Sequence, residues 1–289
     1  LNVELDPDLD AAIALADVFD ALLVAMEENE DGVRRQLDLA SLHDFRVAVR
    51  RTRSIARLAR PLLPDAMTRL WKADWKWLAG VTSEARDLDV FLEELSVDGD
   101  GLRELADRAR ARRASTQARL RTALDGDRYR ALQRGWRAGI AELRTVGMAG
   151  TGTDAATLAR RTIAAASKRF VHSARAIDED APAGEIHKVR KRAKRLRYAA
   201  ELLGSALPKR EVKELVAATK RLQDELGRFQ DAEVQRQLVR AVLDDPTQPS
   251  PSAGAVAAGD ALVEQLTAAQ AAARHDLVKS LRKMARTGS

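Results

Sequence analysis

HDFRVAVRRTR at His43–Arg53 and HKVRKRAKRLR at His187–Arg197 spell one pattern twice, 144 residues apart. The match continues past the motif. At that offset His43–Leu95 lies over His187–Val239 without a gap, with 13 identities in 53 positions, where unrelated sequences of this composition give roughly four or five. The identical pairs include His43/His187, Arg46/Arg190, Arg51/Arg195, Arg53/Arg197, Pro64/Pro208, Lys76/Lys220, Asp87/Asp231 and Val90/Val234, while Arg50/Lys194 and Asp89/Glu233 keep their charge. A matched His with three matched basic residues is harder to attribute to chance than matched turns.

Outside the repeat, helix is the only convincing periodicity. Ala, Leu, Arg and Glu dominate and β-branched residues are sparse, which favours helix over strand. Turn signals cut the chain into expected helices at Asp8–Glu30, Leu42–Arg60, Ala66–Leu95, Leu102–Leu124 and Tyr129–Val146. After a break at Gly147–Gly152 come Ala155–Ala176, Glu185–Gly204, Lys209–Leu243 and Ala261–Ala285. The offset lays the first of these over Ala155–Ala176. The expectation is an all-α fold: two similar bundles of about four helices, at 8–146 and 153–286, facing each other about a pseudo-twofold axis. Asp244–Gly259, with Pro246, Pro249 and Pro251, reads as a flexible loop.

Composition narrows the function. The 289 residues are 45% hydrophobic and 32% charged, a folded chain rather than a disordered one. There is no cysteine, which excludes disulfides, iron–sulfur clusters and thiolate zinc sites. No apolar run approaches the length of a membrane span, and no basic-then-apolar leader opens the chain. A cytoplasmic protein without a membrane partner is expected. The chain begins at Leu1 rather than Met, which suggests a piece of something longer.

The net charge of +6 is unevenly placed. Leu1–Val33 holds ten carboxylates and no Lys or Arg; Leu42–Arg60 has six Arg against one Asp; Ile186–Tyr198 has seven cations and no acid. The two basic segments implied by the repeat stand out from an otherwise acidic chain, and focus a positive field suited to an anionic partner.

On a helical wheel, Arg46, Arg50, Arg53 and Arg57 fall with His43 on a stripe about 80° wide. Phe45, Val49, Thr52, Ala56 and Ala59 form the apolar face beside it. His187, Arg190, Lys194 and Arg197 repeat the stripe. Arg51 and Arg195 stand off it by about 80°, as a second tier. In the next helix Lys76, Ser83, Asp87 and Val90 share a face, and Lys220 with Asp231 repeats it. Like charges so stacked destabilise a helix, which calls for neighbouring carboxylates or a bound polyanion. One Asp per copy can orient one Arg but not neutralise four.

The doubled motif, each copy followed by an R-D-x-D-like element (Arg86-Asp87-Leu88-Asp89; Gln230-Asp231-Ala232-Glu233), resembles the CHAD family, the conserved histidine α-helical domain, over nearly the whole chain. The resemblance implies two four-helix bundles around a basic cavity that binds inorganic polyphosphate. It also implies a partner of CYTH (triphosphate tunnel) type outside this chain, association with polyphosphate granules, no cofactor and no catalysis. Arg46, Arg50, Arg53, Arg190, Lys194 and Arg197 are then the main contacts, with His43 and His187 each adding a donor, Arg57 on the same stripe, and Lys76 and Lys220 facing them. Arg51 and Arg195 follow in the second tier. Gln230 stands where the first copy has Arg86, and Glu201 where it has Arg57.

Two other readings stay open. His43-Asp44 suits a metal-dependent phosphohydrolase, although the second copy has His187-Lys188, and His172 and His275 have no ligand-spaced partners. A nucleic-acid binder could stack bases on Trp71 and Trp75, one turn apart, although such pairs are more often core.

Overall fold

The computed structural model describes residues 3–178 and 180–287, with side chains to residue 281. Among the described residues there are eleven α-helices and no β-strand. They run α1 (Ala11–Glu28), α2 (Glu30–Arg35), α3 (Leu39–Leu58), α4 (Asp65–Val81), α5 (Ser83–Glu94), α6 (Asp100–Asp125), α7 (Asp127–Ala149), α8 (Ala155–Ala174), α9 (Ala183–Leu203), α10 (Lys209–Leu243) and α11 (Ala253–Thr287).

Local chemistry sets most of these starts. Asp10, Asp38 and Asp154 cap α1, α3 and α8, their carboxylates accepting from the N–H of Ala12, Ser41 and Thr157 at 2.6–2.8 Å, which satisfies donors the first turn leaves free. Pro64, Pro182 and Pro208 precede α4, α9 and α10. The one helix expected over Ala66–Leu95 is two, broken at Thr82. There the hydroxyl bonds the carbonyls of Leu78 and Ala79 at 3.0 and 3.3 Å. The matching position of α10 is Leu226, and α10 runs unbroken for 35 residues although its Thr219 bonds the carbonyls of Leu215 and Val216 in the same way, at 2.8 and 3.0 Å.

The expected loop 244–259 is shorter than its composition suggests. Ser252 caps α11 at Ala253, its Oγ accepting from the N–H of Ala255 at 3.1 Å, so 253–259 is helical. The remainder is tied down. Buried Arg108 donates to the carbonyls of Val242, Leu243 and Pro249 at 3.4, 3.2 and 2.6 Å, and Gln248 donates back to the Arg108 carbonyl at 3.1 Å.

Three buried clusters hold the helices together. The largest centres on α1, whose Leu15, Phe19, Leu22 and Met26 are fully buried where α1 packs on α3 and α7; each such side chain stabilises by about 1.5–3 kcal/mol. Trp136 meets both Phe19 and Trp75 edge-on, with ring centroids 5.2 Å apart in each pair. A second cluster joins α8, α9, α10 and α11 through Phe170, Val189, Leu226 and Leu277.

The third spans the halves, setting Leu88, Phe91 and Leu105 of α5 and α6 against Val239 and Val242 of α10. Backbones approach closely beside it: a Cβ on Gly101 would lie 2.4 Å from the Gly254 carbonyl oxygen, so α6 and α11 pack where only glycine fits. Asp10 and Asp154, themselves 144 residues apart, form an isolated antiparallel bridge. No helix among the described residues is long and apolar enough to cross a membrane.

Candidate functional site

α3 and α9 meet where Arg51 reaches across to Glu201 and lies over the Tyr198 ring. Beside that contact opens a cleft of about 820 Å³. α3 contributes His43, Arg46, Arg50, Arg53 and Arg57; α9 contributes His187, Arg190, Lys191, Lys194, Arg195 and Tyr198. The other walls are Trp71 and Ala79 of α4, Ser83, Arg86, Asp87 and Val90 of α5, and Gln230, Asp231, Val234 and Gln235 of α10. Nine cationic side chains therefore face two carboxylates.

The carboxylates sit beside the matching arginines of the two copies. Arg46 donates to Thr82 Oγ1 at 3.1 Å and Ser83 Oγ at 3.4 Å, and Ser83 Oγ donates to Asp87 at 3.4 Å. Arg190 donates to Asp231, also at 3.4 Å. Burial pushes the Asp87 carboxyl up, against the pull of Arg46. Arg50, Arg53 and Arg190 each carry a buried Nε–H that meets no acceptor in the protein, a costly state for a charged donor.

The surrounding field shifts the ionisable groups of the cleft. Burial, reinforced by Arg190 and Arg50, pushes the Lys194 amine down to about 7. Burial lowers Arg46 and Arg195 to about 10, with like-charged neighbours adding to it. Burial also lowers both histidines, His43 with help from Arg86 and Arg50, and His187 with help from Lys191. His187 Nδ1 lies 2.6 Å from Gln230 Oε1, so Nδ1 carries the hydrogen and Nε2 is left to the cleft. Gln230 thus orients the histidine where the first copy instead sets Arg86 beside His43.

Not all expected contacts converge. Arg51 and Arg197 do not line the cleft: both pair with Glu201, at 2.7 and 3.2 Å. Lys76 and Lys220 are exposed and outside it. Lys220 lies ten residues before Gln230, about 15 Å along the helix, and near Lys76 the α4 wall is Trp71 and Ala79.

Arg86, Lys191 and Tyr198 line the cleft without having been singled out. Arg86 stood in the R-D-x-D element, and Lys191 falls about 40° past His187, just beyond the stripe. The two acids of that element separate: Asp87 faces the cleft, whereas Asp89 is buried and accepts from Arg113 Nε of α6 at 2.5 Å.

The aromatic pair is also divided. Trp75 is fully buried core, and Trp71 is half-buried, its indole N–H donating to the Arg53 carbonyl at 3.1 Å. No group of three or more His, Asp or Glu suited to a metal forms among the described residues.

A sequence model of the CHAD domain matches residues 17–240. The chain belongs to the CHAD domain family. Its fold is similar to the crystal structure of the CHAD domain from the plant Ricinus communis, with a TM-score of 0.84 and 26% identity over 98% of this chain and 95% of that one. It is also similar in fold to PptA from Streptomyces chartreusis, with a TM-score of 0.69 and 16% identity over 94% and 99% of the two chains. No curated protein sequence matches the chain. Within this CHAD domain the doubled histidine–arginine motif accounts for most of the cations facing the cleft.

Proposed function

We propose that this CHAD domain is a non-catalytic module that binds inorganic polyphosphate in the cleft between α3, α5, α9 and α10. The observation that carries the reading is the excess of nine cationic donors over two carboxylates in the lining of the cleft. A linear polyanion with a charge on every phosphate offers non-bridging oxygens to such donors all along its length. The arginine fork suits them, and Lys194 adds a point charge. Cleft volume favours a single extended chain, since about 820 Å³ is the scale of a small-ligand pocket and not of a duplex. Trp75, locked in the core, is withheld from base stacking.

The reading extends to symmetry. Asp10 meets Asp154 and the charge of Asp231 is felt at Asp87, each pair separated by 144 residues. These meetings support two copies related by a pseudo-twofold axis that passes through the cleft. We place the domain in the cytoplasm, as a polyphosphate-localising or regulatory unit that would act beside a CYTH-type partner.

The test is a titration of long-chain polyphosphate at several salt concentrations, beside duplex DNA at equal phosphate concentration and an Arg46→Ala/Arg190→Ala variant. With six to nine phosphate contacts the logarithmic salt slope should be about −4 to −6, and the double variant should flatten it by about 1.4. Equal affinity for both polymers, or a variant that binds normally, would reduce the cleft to generic basic surface.

A further inference from the structure

At one matched position the two copies keep a charge and exchange its chemistry. Arg50 of α3 corresponds to Lys194 of α9, and both line the cleft. A guanidinium stays charged throughout the pH range of a folded protein, whereas an amine can lose its proton to its surroundings. Lys194 is the one primary amine on the two histidine–arginine stripes. Lys191, the other lysine of the cleft, is exposed.

The groups around Lys194 repel its proton without engaging its nitrogen. Arg190 lies one turn before it on α9 and Arg197 three residues after; Arg50 acts on it from α3, and Asp231 of α10 only partly offsets them. In the same cleft α5 adds Arg86 and Asp87, and α4 the uncharged Trp71 and Ala79. Arg46, Arg190 and Arg197 each bond a neighbour. Lys194 makes no hydrogen bond or ion pair among the described residues. With its amine pushed down to about 7, about three quarters of it is neutral at pH 7.5, against about one in a thousand for an open-chain lysine.

A neutral amine among guanidiniums suits one reaction. Its lone pair attacks the carbon of carbon dioxide and forms an N–C bond. One carbon–oxygen π pair moves onto oxygen, and the nitrogen gives a proton to water, leaving a carbamate. The product is negative where the ammonium would be positive, so the field that disfavours the ammonium stabilises the carbamate. Nine cations less Lys194 leave eight to face it, and its two oxygens present carboxylate geometry to the arginine fork.

We propose that Lys194 is a reversible acceptor of carbon dioxide, its carbamate held by Arg50 and Arg190, and that this carbamate competes with polyanions for those two arginines. The acceptor stands on the cleft itself; the competition rests on the polyphosphate reading.

The experiment begins with carbon-13 NMR of the wild type and Lys194→Met in labelled bicarbonate at pH 7.5, without polyanion. The wild type should show a carbamate resonance that the variant lacks, while that of the N-terminal amine stays in both. Alkylating the loaded wild type with triethyloxonium, followed by peptide mass spectrometry, should place the ethyl carbamate on Lys194 about tenfold or more above exposed Lys76 and Lys220. Polyphosphate titrations then run with and without carbon dioxide at matched pH and ionic strength. Carbon dioxide that half-fills Lys194 should halve the affinity of the wild type and leave that of Lys194→Met unchanged.

A wild type without a carbamate on Lys194, or a set of resonances identical in the variant, overturns the proposal whether or not polyphosphate binds. If Lys194→Met fails to fold, trapping on the wild type decides alone. A carbamate on Lys194 that leaves polyphosphate affinity unchanged overturns the competition. A protein that carries the carbamate but binds no polyphosphate overturns the competition and the function proposed above, and upholds the acceptor.

Discussion

Lys194→Met separates what the cleft costs the fold from what it does for the ligand. In the folded protein the Lys194 amine titrates near 7, against 10.5 in an open chain, because burial and the charges of Arg190 and Arg50 disfavour its ammonium form and Asp231 only partly compensates. The folded pKa is lowered, so the unfolded chain holds more protons between about pH 7 and 10.5. Folding stability therefore rises with pH across that window.

At about 1.4 kcal/mol per unit, the shift corresponds to a penalty on the order of 3–5 kcal/mol below pH 7. It falls to about 2 kcal/mol at pH 9 and vanishes above pH 10.5. Met has a similar length and no charge, so the variant should melt higher than the wild type by several degrees at pH 6.5, and the two curves should converge toward pH 10. Thermal unfolding of both proteins without polyanion, from pH 6 to 10, measures this. A variant that melts no higher at pH 6.5, or a difference independent of pH, would refute the claim that Lys194 is held charged at the expense of the fold.

Two further outcomes follow from the same geometry. A polyanion in the cleft should restore the proton to Lys194, so affinity should fall by up to about tenfold per pH unit between pH 7 and 9, with Lys194→Met losing that dependence; titrations at fixed salt check it. Asp89→Ala should lower stability by about 2–4 kcal/mol by stranding Arg113 while leaving the affinity for polyphosphate unchanged, because Asp89 points away from the cleft; denaturant melts and binding titrations read the two effects separately.

The all-α class was legible because three aspartate caps, three prolines before helices and a strong apolar periodicity all agree locally. The joints were less so. Thr82 sits in a stretch with no helix breaker beside it except Gly80, and a back-bonding hydroxyl is no signal of a joint, since Thr219 has one within unbroken α10. The Asp244–Gly259 segment misled by composition: three prolines concealed a Ser252 cap, and the anchoring by Arg108 reaches across more than 130 residues.

At the site the wheel found the stripe, since His43, Arg46, Arg50, Arg53, Arg57, His187, Arg190 and Lys194 all reach the cleft. It could not find the distance of a residue from the facing helix, which separates Lys76 from Ser83 on one face. Nor could it tell that Arg197 is claimed by a glutamate one turn away.

These departures share a cause. A wheel angle says which way a side chain leaves its helix, but whether a cation is available to a ligand depends on what else can reach it. Arg46 and Arg190 are each held beside one aspartate, Asp87 and Asp231, and two carboxylates among nine cations are too few to neutralise the cleft. Their placement beside Arg46 and Arg190 is consistent with orienting those guanidiniums, while Arg50 and Arg53 stay charged for the ligand. Glu201 acts differently: it pairs with two arginines at once, outside the cleft, and offsets one of their two charges. Where a carboxylate stands therefore matters more to this domain than how many it has, which is why a chain with 43 acidic residues can keep so concentrated a positive site.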